Sequence, residues 1–378
     1  MLVQNAFSFT ANCKNLEATL KKVVAVMSTT TSPSYFLASD KKRVYVVGIS
    51  GDTFVRIALH EVKADVDGAF GFKQEDLVGL IKNRNDLVFS FNGQVCEFKQ
   101  VKGSYKGNIV VNPITSDQSS SCDAFLSGKA KADVVMPADL LSLVKSGLAA
   151  TNIKDVYQNT TLLSYITLDK KGNLEVSSFD SQHFGLFQLG SGIKGLEFKA
   201  AVPASHFSLI DQIAAGQDSK FTVSGGSLRV EGKGFTIVLP STQADDAAYT
   251  MVASFVTSLD KPSHTCNLDL SQLTTITDNL CTLYNANTSF VFAAKESSSN
   301  LSVSFTTPSG TASDMMKVTT AKTAKAFKAS VDPRLFKDVL SLARFIGTPS
   351  LQVGSKVLSF KGETSEKALL FIACARSE

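Results

Sequence analysis

The sequence predicts an α+β fold of antiparallel sheets and helices, organised as three domains that are each two similar halves. Three observations predict it. A short strand, a break and an amphipathic helix recur six times; the copies are evenly spaced; and short alternating strands follow each one.

The six copies start at Phe7 (FSFTANCKNLEATLKKVVAVM), Phe70 (FGFKQEDLVGLIKNR), Asp133 (DVVMPADLLSLVKSGLAA), Phe198 (FKAAVPASHFSLIDQIAA), Cys266 (CNLDLSQLTTITDNLCTLY) and Phe327 (FKASVDPRLFKDVLSLARF). The last strand residues before the helices are Phe9 and Phe72, 63 apart; Met136 and Val202, 66 apart; and Leu270 and Val331, 61 apart. From Phe9 to Met136 is 127 residues and from Met136 to Leu270 is 134, which gives three domains of two halves. The strands after each helix read at period two, as in KRVYVVGISGDTFVRIALHEV, or meet at a turn such as the Lys-Lys-Gly-Asn of LSYITLDKKGNLEVSSF. Each half is thus one helix with three or four strands, helices on one face. The expected domains are 1–115, 132–257 and 264–378. The Ser-rich segment 116–131 (SDQSSSCDAFLSGKAK) is expected to be an interdomain linker.

The 378 residues, 44% hydrophobic and 19% charged, are enough for sizeable cores and argue against long disorder. No apolar run reaches the length of a membrane helix, and the N-terminus reads as a strand instead of a secretory signal. Six widely spaced cysteines and four scattered histidines form no metal motif, so no metal and no cofactor are expected; the thiols read as reduced and cytosolic. At a net charge of +4 the chain does not coat nucleic acid by bulk charge, and basic residues for DNA must share one surface.

The helices offer such residues. At about 100° per residue, Leu16, Leu20, Val23 and Met27 take one side of the first helix, and Lys14 and Lys21 take the other. On the sixth, Leu335, Phe336, Val339 and Leu340 oppose a stripe of Arg334, Lys337, Ser341 and Arg344. Lys82 and Arg84 end the second helix, and Lys145 lies on the polar side of the third. The fourth and fifth helices, with His206, Asp211, Thr274, Thr275 and Asp278, are not basic. The plain alternative for each stripe is an ordinary solvated face. If the six helices share a surface, it suits phosphates.

Three segments, NLSVSFTTPSGTASDMMKV, FKASVDPRLFKDVLSLAR and LEVSSFDSQHFGLFQL, with their order and spacing, make nearly the whole chain similar to the bacterial DNA polymerase III β sliding clamp family. The resemblance implies a non-enzymatic processivity factor. Two three-domain chains would close head to tail into a six-domain ring around double-stranded DNA, with helices lining the hole. DNA polymerase and clamp loader would dock through short peptides. The resemblance places that pocket at Phe179, Ser181, Gln182, His183 and Phe184, with Asp180 at the turn, at Ala247 and Val252, and at Phe371 and Ala373. Ala247 stands where the family has Pro, Ala373 where it has Met, and Ser-Gln-His replaces Gly-His-Arg, departures that mark a diverged member and bear on the peptide accepted. Core packing is the alternative role of Phe184, Val252 and Phe371. The homodimer contact is expected between the edge near Cys96, Phe98 and Val101 and the region Leu283–Phe292. The expected location is cytoplasmic, in the host cytoplasm if the source is viral.

Catalysis would need more than Asp180 and His183, which no nucleophile or phosphate-loop motif accompanies. Two other readings stay open: a repetitive tube or shell subunit, and an open monomeric processivity factor held by charge.

Overall fold

Local chemistry starts and stops the helices. Helix α1 (Cys13–Met27) begins where Asn12 Oδ1 accepts a hydrogen bond from the Asn15 N–H at 3.2 Å and ends at Ser28. Its buried side is Leu16, Leu20, Val23 and Met27, with Cys13 and Val26. Helix α7 (Pro333–Ala343) begins at Asp332, whose carboxylate accepts from the Arg334 N–H at 2.8 Å, with Pro333 in the first turn.

The computed structural model describes residues 2–28, 30–127, 134–152, 163–179, 182–224, 226–241, 262–281, 289–296, 298–307, 310–320 and 326–377. The first sequence domain holds β1 (Phe7–Asn12), α1, β2 (Ser34–Asp40), β3 (Val44–Ser50) and β4 (Thr53–Ala58), then β5 (Asp67–Phe72), α2 (Gln74–Ile81), β6 (Asp86–Phe91), β7 (Val95–Gln100) and β8 (Lys106–Val110). After α3 (Ser116–Ser127), the second holds β9 (Val134–Met136), α4 (Ala138–Thr151), β10 (Leu163–Leu168), β11 (Asn173–Phe179) and β12 (His183–Gly190). It continues with β13 (Phe198–Pro203), α5 (Ala204–Ala214), β14 (Ser219–Ser224), β15 (Ser227–Gly232) and β16 (Phe235–Pro240). The third holds β17 (His264–Asn267), α6 (Leu270–Cys281), β18 (Phe290–Ala294), β19 (Asn300–Thr307), β20 (Gly310–Lys317) and β21 (Thr319–Thr320). Its second half is β22 (Phe327–Val331), α7, β23 (Ser350–Val353), β24 (Val357–Glu363) and β25 (Leu369–Ala375). Each half is one helix and four strands, where the sequence predicts three or four, and the fifth half adds the two-residue β21.

The chain divides into two compact units, Met1–Leu141 with Ser205–Gln243, and Ser142–Ala204 with Ala244–Glu378. The first holds the sheets β1-β6-β7-β8 and β5-β2-β3-β4-β16-β15-β14-β9. The second holds β13-β10-β11-β12-β25-β24-β23-β17-β21 and β20-β19-β18-β22. This division cuts through the second sequence domain, because ladders run across the sequence-domain borders: β4 pairs β16, and β12 pairs β25, both antiparallel. Helix α1 packs on β3 and β4 so closely that a Cβ on Gly48 would lie 2.7 Å from Met27 Cγ.

Over residues 116–127, the Ser-rich segment expected to be a linker is a packed helix. Residues Ser116–Ser127 are α-helical, with Cys122 buried and the Phe125 ring stacked on Phe54 at 5.2 Å between centroids. Composition suggested a solvated connector, and one apolar side at Cys122, Phe125 and Leu126 overrides it.

Candidate nucleic-acid interface and partner seat

The basic residues fall into sets within each unit. In the first, exposed Lys14 and Lys21 on α1 adjoin α2, whose end carries exposed Lys82 and Arg84. In the second, α7 lies against α6 with Arg334, Lys337 and Arg344, and Lys145 is exposed on α4. Much of this charge already has a partner. Lys21 Nζ lies 2.7 Å from Glu17, Lys337 Nζ lies 2.9 Å from Asp278 across the helix pair, and Arg334 bonds Asp332 at 2.9 Å. The Arg84 guanidinium sits 3.9 Å from the Tyr105 ring centroid, and that of Arg344 lies 5.1 Å from Phe345. Asp278 beside it raises the Lys337 pKa. Burial pushes the Asp332 carboxyl up, but the hydrogen bonds from Arg334 outweigh it and hold it low. Exposed pairs of this kind contribute about 0–1 kcal/mol, so a phosphate can replace a carboxylate at little cost.

The second unit presents an apolar seat. Phe184, Leu186 and Ala373 form its buried floor, with Phe179, Phe371, Tyr165 and Val357 partly exposed around it; the Phe184 and Phe371 rings are 5.9 Å apart. Phe184 is paired with Phe179 on one side and Ala373 on the other. A Cβ on Gly147 of α4 would meet Phe187, so Phe187 faces the helix and Phe184, an odd number of residues away, points to the opposite face. Of the residues the family resemblance names, Phe179, Phe184, Phe371 and Ala373 lie together here, joined by Leu186, Tyr165 and Val357, which carry no motif. His183 is a correction. It pairs with Cys374 on the helix side, is 2% exposed, and has Nε2 4.0 Å from Asp338 of α7, because neighbouring strand residues point to opposite faces. Gln182 is half-buried at the hairpin end, its carbonyl accepting from the Ala375 N–H. Asp180, Ser181, Ala247 and Val252 lie outside the described residues. Phe184 is wholly buried, so it is core as well as floor. Phe184→Ala is expected to cost about 3–5 kcal/mol in a urea melt, the usual range for a buried Phe.

The dimer residues also need correcting. Cys96 and Phe98 are 0% and 7% exposed and lie on β7, which is paired with both β6 and β8. Phe292 is buried on β18 between β19 and β22. Leu283 lies outside the described residues. β8 and β1 end the first of these sheets and β20 and β22 the second, and of these β8 and β20 carry the exposed apolar residues Val110, 80% exposed, and Met315, 66% exposed.

Burial pushes the Cys13 thiol up to about 11 and those of Cys96, Cys266 and Cys374 up to about 12, which leaves no thiolate nucleophile among them. All six cysteines are free. Among the described residues no group of His, Cys, Asp or Glu is arranged to hold a metal ion, and no helix is long and apolar enough to cross a membrane.

No protein-family model matches the chain, and no curated protein matches it in sequence. Solved structures do. DNA polymerase III subunit β from Borrelia burgdorferi aligns over 98% of this chain and 99% of its own, with a TM-score of 0.76 at 10% identity. The DNA polymerase sliding clamp from Pseudomonas aeruginosa aligns over 98% and 99%, TM-score 0.75 at 14% identity. DNA polymerase III β subunit from Thermotoga maritima aligns over 98% and 100%, TM-score 0.75 at 12% identity. The chain has the sliding-clamp fold. Full-length coverage at such low identity is a likeness of fold, with few side chains in common.

Proposed function

We propose that this chain is a DNA sliding clamp, a non-catalytic ring that encircles duplex DNA in the cytoplasm and tethers a DNA polymerase placed by a clamp loader. One observation carries the reading. Within the chain, the fourth strand of a first half-repeat pairs with the fourth strand of the next domain's second half-repeat, as β4 with β16 and β12 with β25. The same rule leaves β20 needing the β8 of another copy, and both strands end their sheets with exposed apolar residues. Head-to-tail pairing of β20 with β8 removes both edges. That two copies suffice follows from the resemblance to the clamp family. The helix cations contact phosphates, and the Phe184 seat takes the partners' peptide anchors.

Native mass spectrometry tests the assembly. A species of two chains at micromolar concentration is expected. A monomer overturns closure, and an open ladder of larger species supports the tube or shell reading, in which the same junction repeats without closing.

A further inference from the structure

The two sheet junctions are copies of one another, and among the described residues a helix covers one of them. Ile49↔Phe54 and Phe179↔Phe184 are each five residues apart across their hairpins, and Phe54 faces Val238 as Phe184 faces Ala373. Gly48, which faces α1, pairs with Val55, so Phe54 points away from the helix as Phe184 does. On the first unit this position is covered by α3. Phe125 stacks on Phe54 with an interplanar angle of 20°, Cys122 is buried in the same cluster, and Leu126 packs beside it. Polar bonds that hold the helix include Gln118 Nε2 to Ser34 Oγ at 3.1 Å, Ser119 Oγ to the Leu2 carbonyl at 3.1 Å, and the Arg229 guanidinium to the Phe125 carbonyl. A short polar helix with one apolar side on an apolar strand face is how a peptide ligand is held.

The charges agree. The only ionisable side chains of α3 apart from Cys122 are Asp117 and Asp123. Beside the second unit's seat, Lys361 is exposed and stands directly opposite Phe371 in the ladder, and Lys356 is exposed at the adjoining hairpin.

We propose that the Phe184 seat binds an acidic helical turn presenting an aromatic side chain followed by Leu, with a small residue three positions before the aromatic, the pattern of Cys122, Phe125 and Leu126. The proposal rests on the reading of this seat as the partner dock and adds the conformation, spacing and charge of the ligand.

The probe is a fluorescent peptide of residues 114–127, kept reduced and titrated into the full chain by anisotropy. Saturable binding in the micromolar range is expected. Phe125→Ser in the peptide or Phe371→Ser in the protein should weaken it at least tenfold, and Lys361→Glu, a surface change that leaves the fold intact, about threefold. Absence of saturable binding up to about 1 mM, where the free energy is only about −4 kcal/mol, overturns the proposal. So does binding that neither protein variant alters, which would mean exchange with the chain's own α3. Polymerase stimulation by the Phe371→Ser protein separates the two ideas. If stimulation is lost and the peptide does not bind, the dock stands and the ligand assignment falls. If the peptide binds through Phe371 and stimulation persists, the ligand assignment stands and the seat is not the polymerase dock.

Discussion

Cysteines at Thr311 and Asn108 will join two copies of this chain into a covalent dimer. The register follows from the internal repeat. Thr306↔Thr311 is five residues across its hairpin, so Thr311 holds the place of Phe54 and Phe184. On the receiving side, Val223↔Leu228, Val353↔Leu358 and Phe91↔Cys96 are also each five apart. Their next partners are Leu239, Cys374 and Ile109, so Asn108 holds the place of Val238 and Ala373. Since Phe54 faces Val238 and Phe184 faces Ala373, Thr311 should face Asn108 of the second copy. The same register sets Asp314 opposite Tyr105, whose ring carries the Arg84 guanidinium, so a carboxylate arrives where a cation waits. Directly opposed residues are about 4.5–5.5 Å apart at Cα, within disulfide reach, and neighbours displaced by two are about 7–8 Å apart, beyond it. In a Cys281→Ser background, since Cys281 is the one native thiol not buried, mild oxidation of Thr311→Cys/Asn108→Cys should convert most of the protein to the linked form. Ser313→Cys/Asn108→Cys should give only traces. Equal cross-linking of the two pairs would refute the register, and cross-linking of neither would refute the β8–β20 junction.

Salt will not strip the loaded protein from a closed DNA circle. The helix cations are few, and Lys21, Lys337 and Arg334 are paired with Glu17, Asp278 and Asp332, so charge alone should hold duplex DNA only at about 10⁻⁴–10⁻⁶ M, weakening steeply with salt. On the proposed function, retention comes from topology. At about 1 M salt, where the screening length is about 3 Å, protein on the circle should remain and one double-strand cut should release it. Replacing Lys21, Arg334 and Lys337 with Glu should impair loading without opening the ring. Equal retention on circular and linear DNA at high salt would remove encirclement and the function built on it. Loss from both at high salt would instead favour the open, charge-held monomer.

Which residues form the six repeated helices and their strands was legible in this sequence, because burial leaves a period. Leu16, Leu20, Val23 and Met27 mark α1, the alternation of FSFTAN marks β1, and the spacing of such copies marks six halves. The resemblance added Phe184, Phe371 and Ala373, which the structure does bring together. What the sequence could not carry is which strand lies beside which. Cys96, Phe98 and Val110 look alike as apolar residues of short strands, yet the first two are covered and the third is bare, because β8 sits beside β7 and ends the sheet. A Ser-rich stretch reads as linker until Phe54 supplies a surface for Phe125. The sequence by itself determined the repeat, the fold class and the apolar residues of the core, since these depend on neighbours a few positions away. Only the tertiary structure decided the sheet ends, the side of the sheet that His183 faces and the docking of α3, since these depend on hydrogen bonds and contacts between residues far apart in the chain.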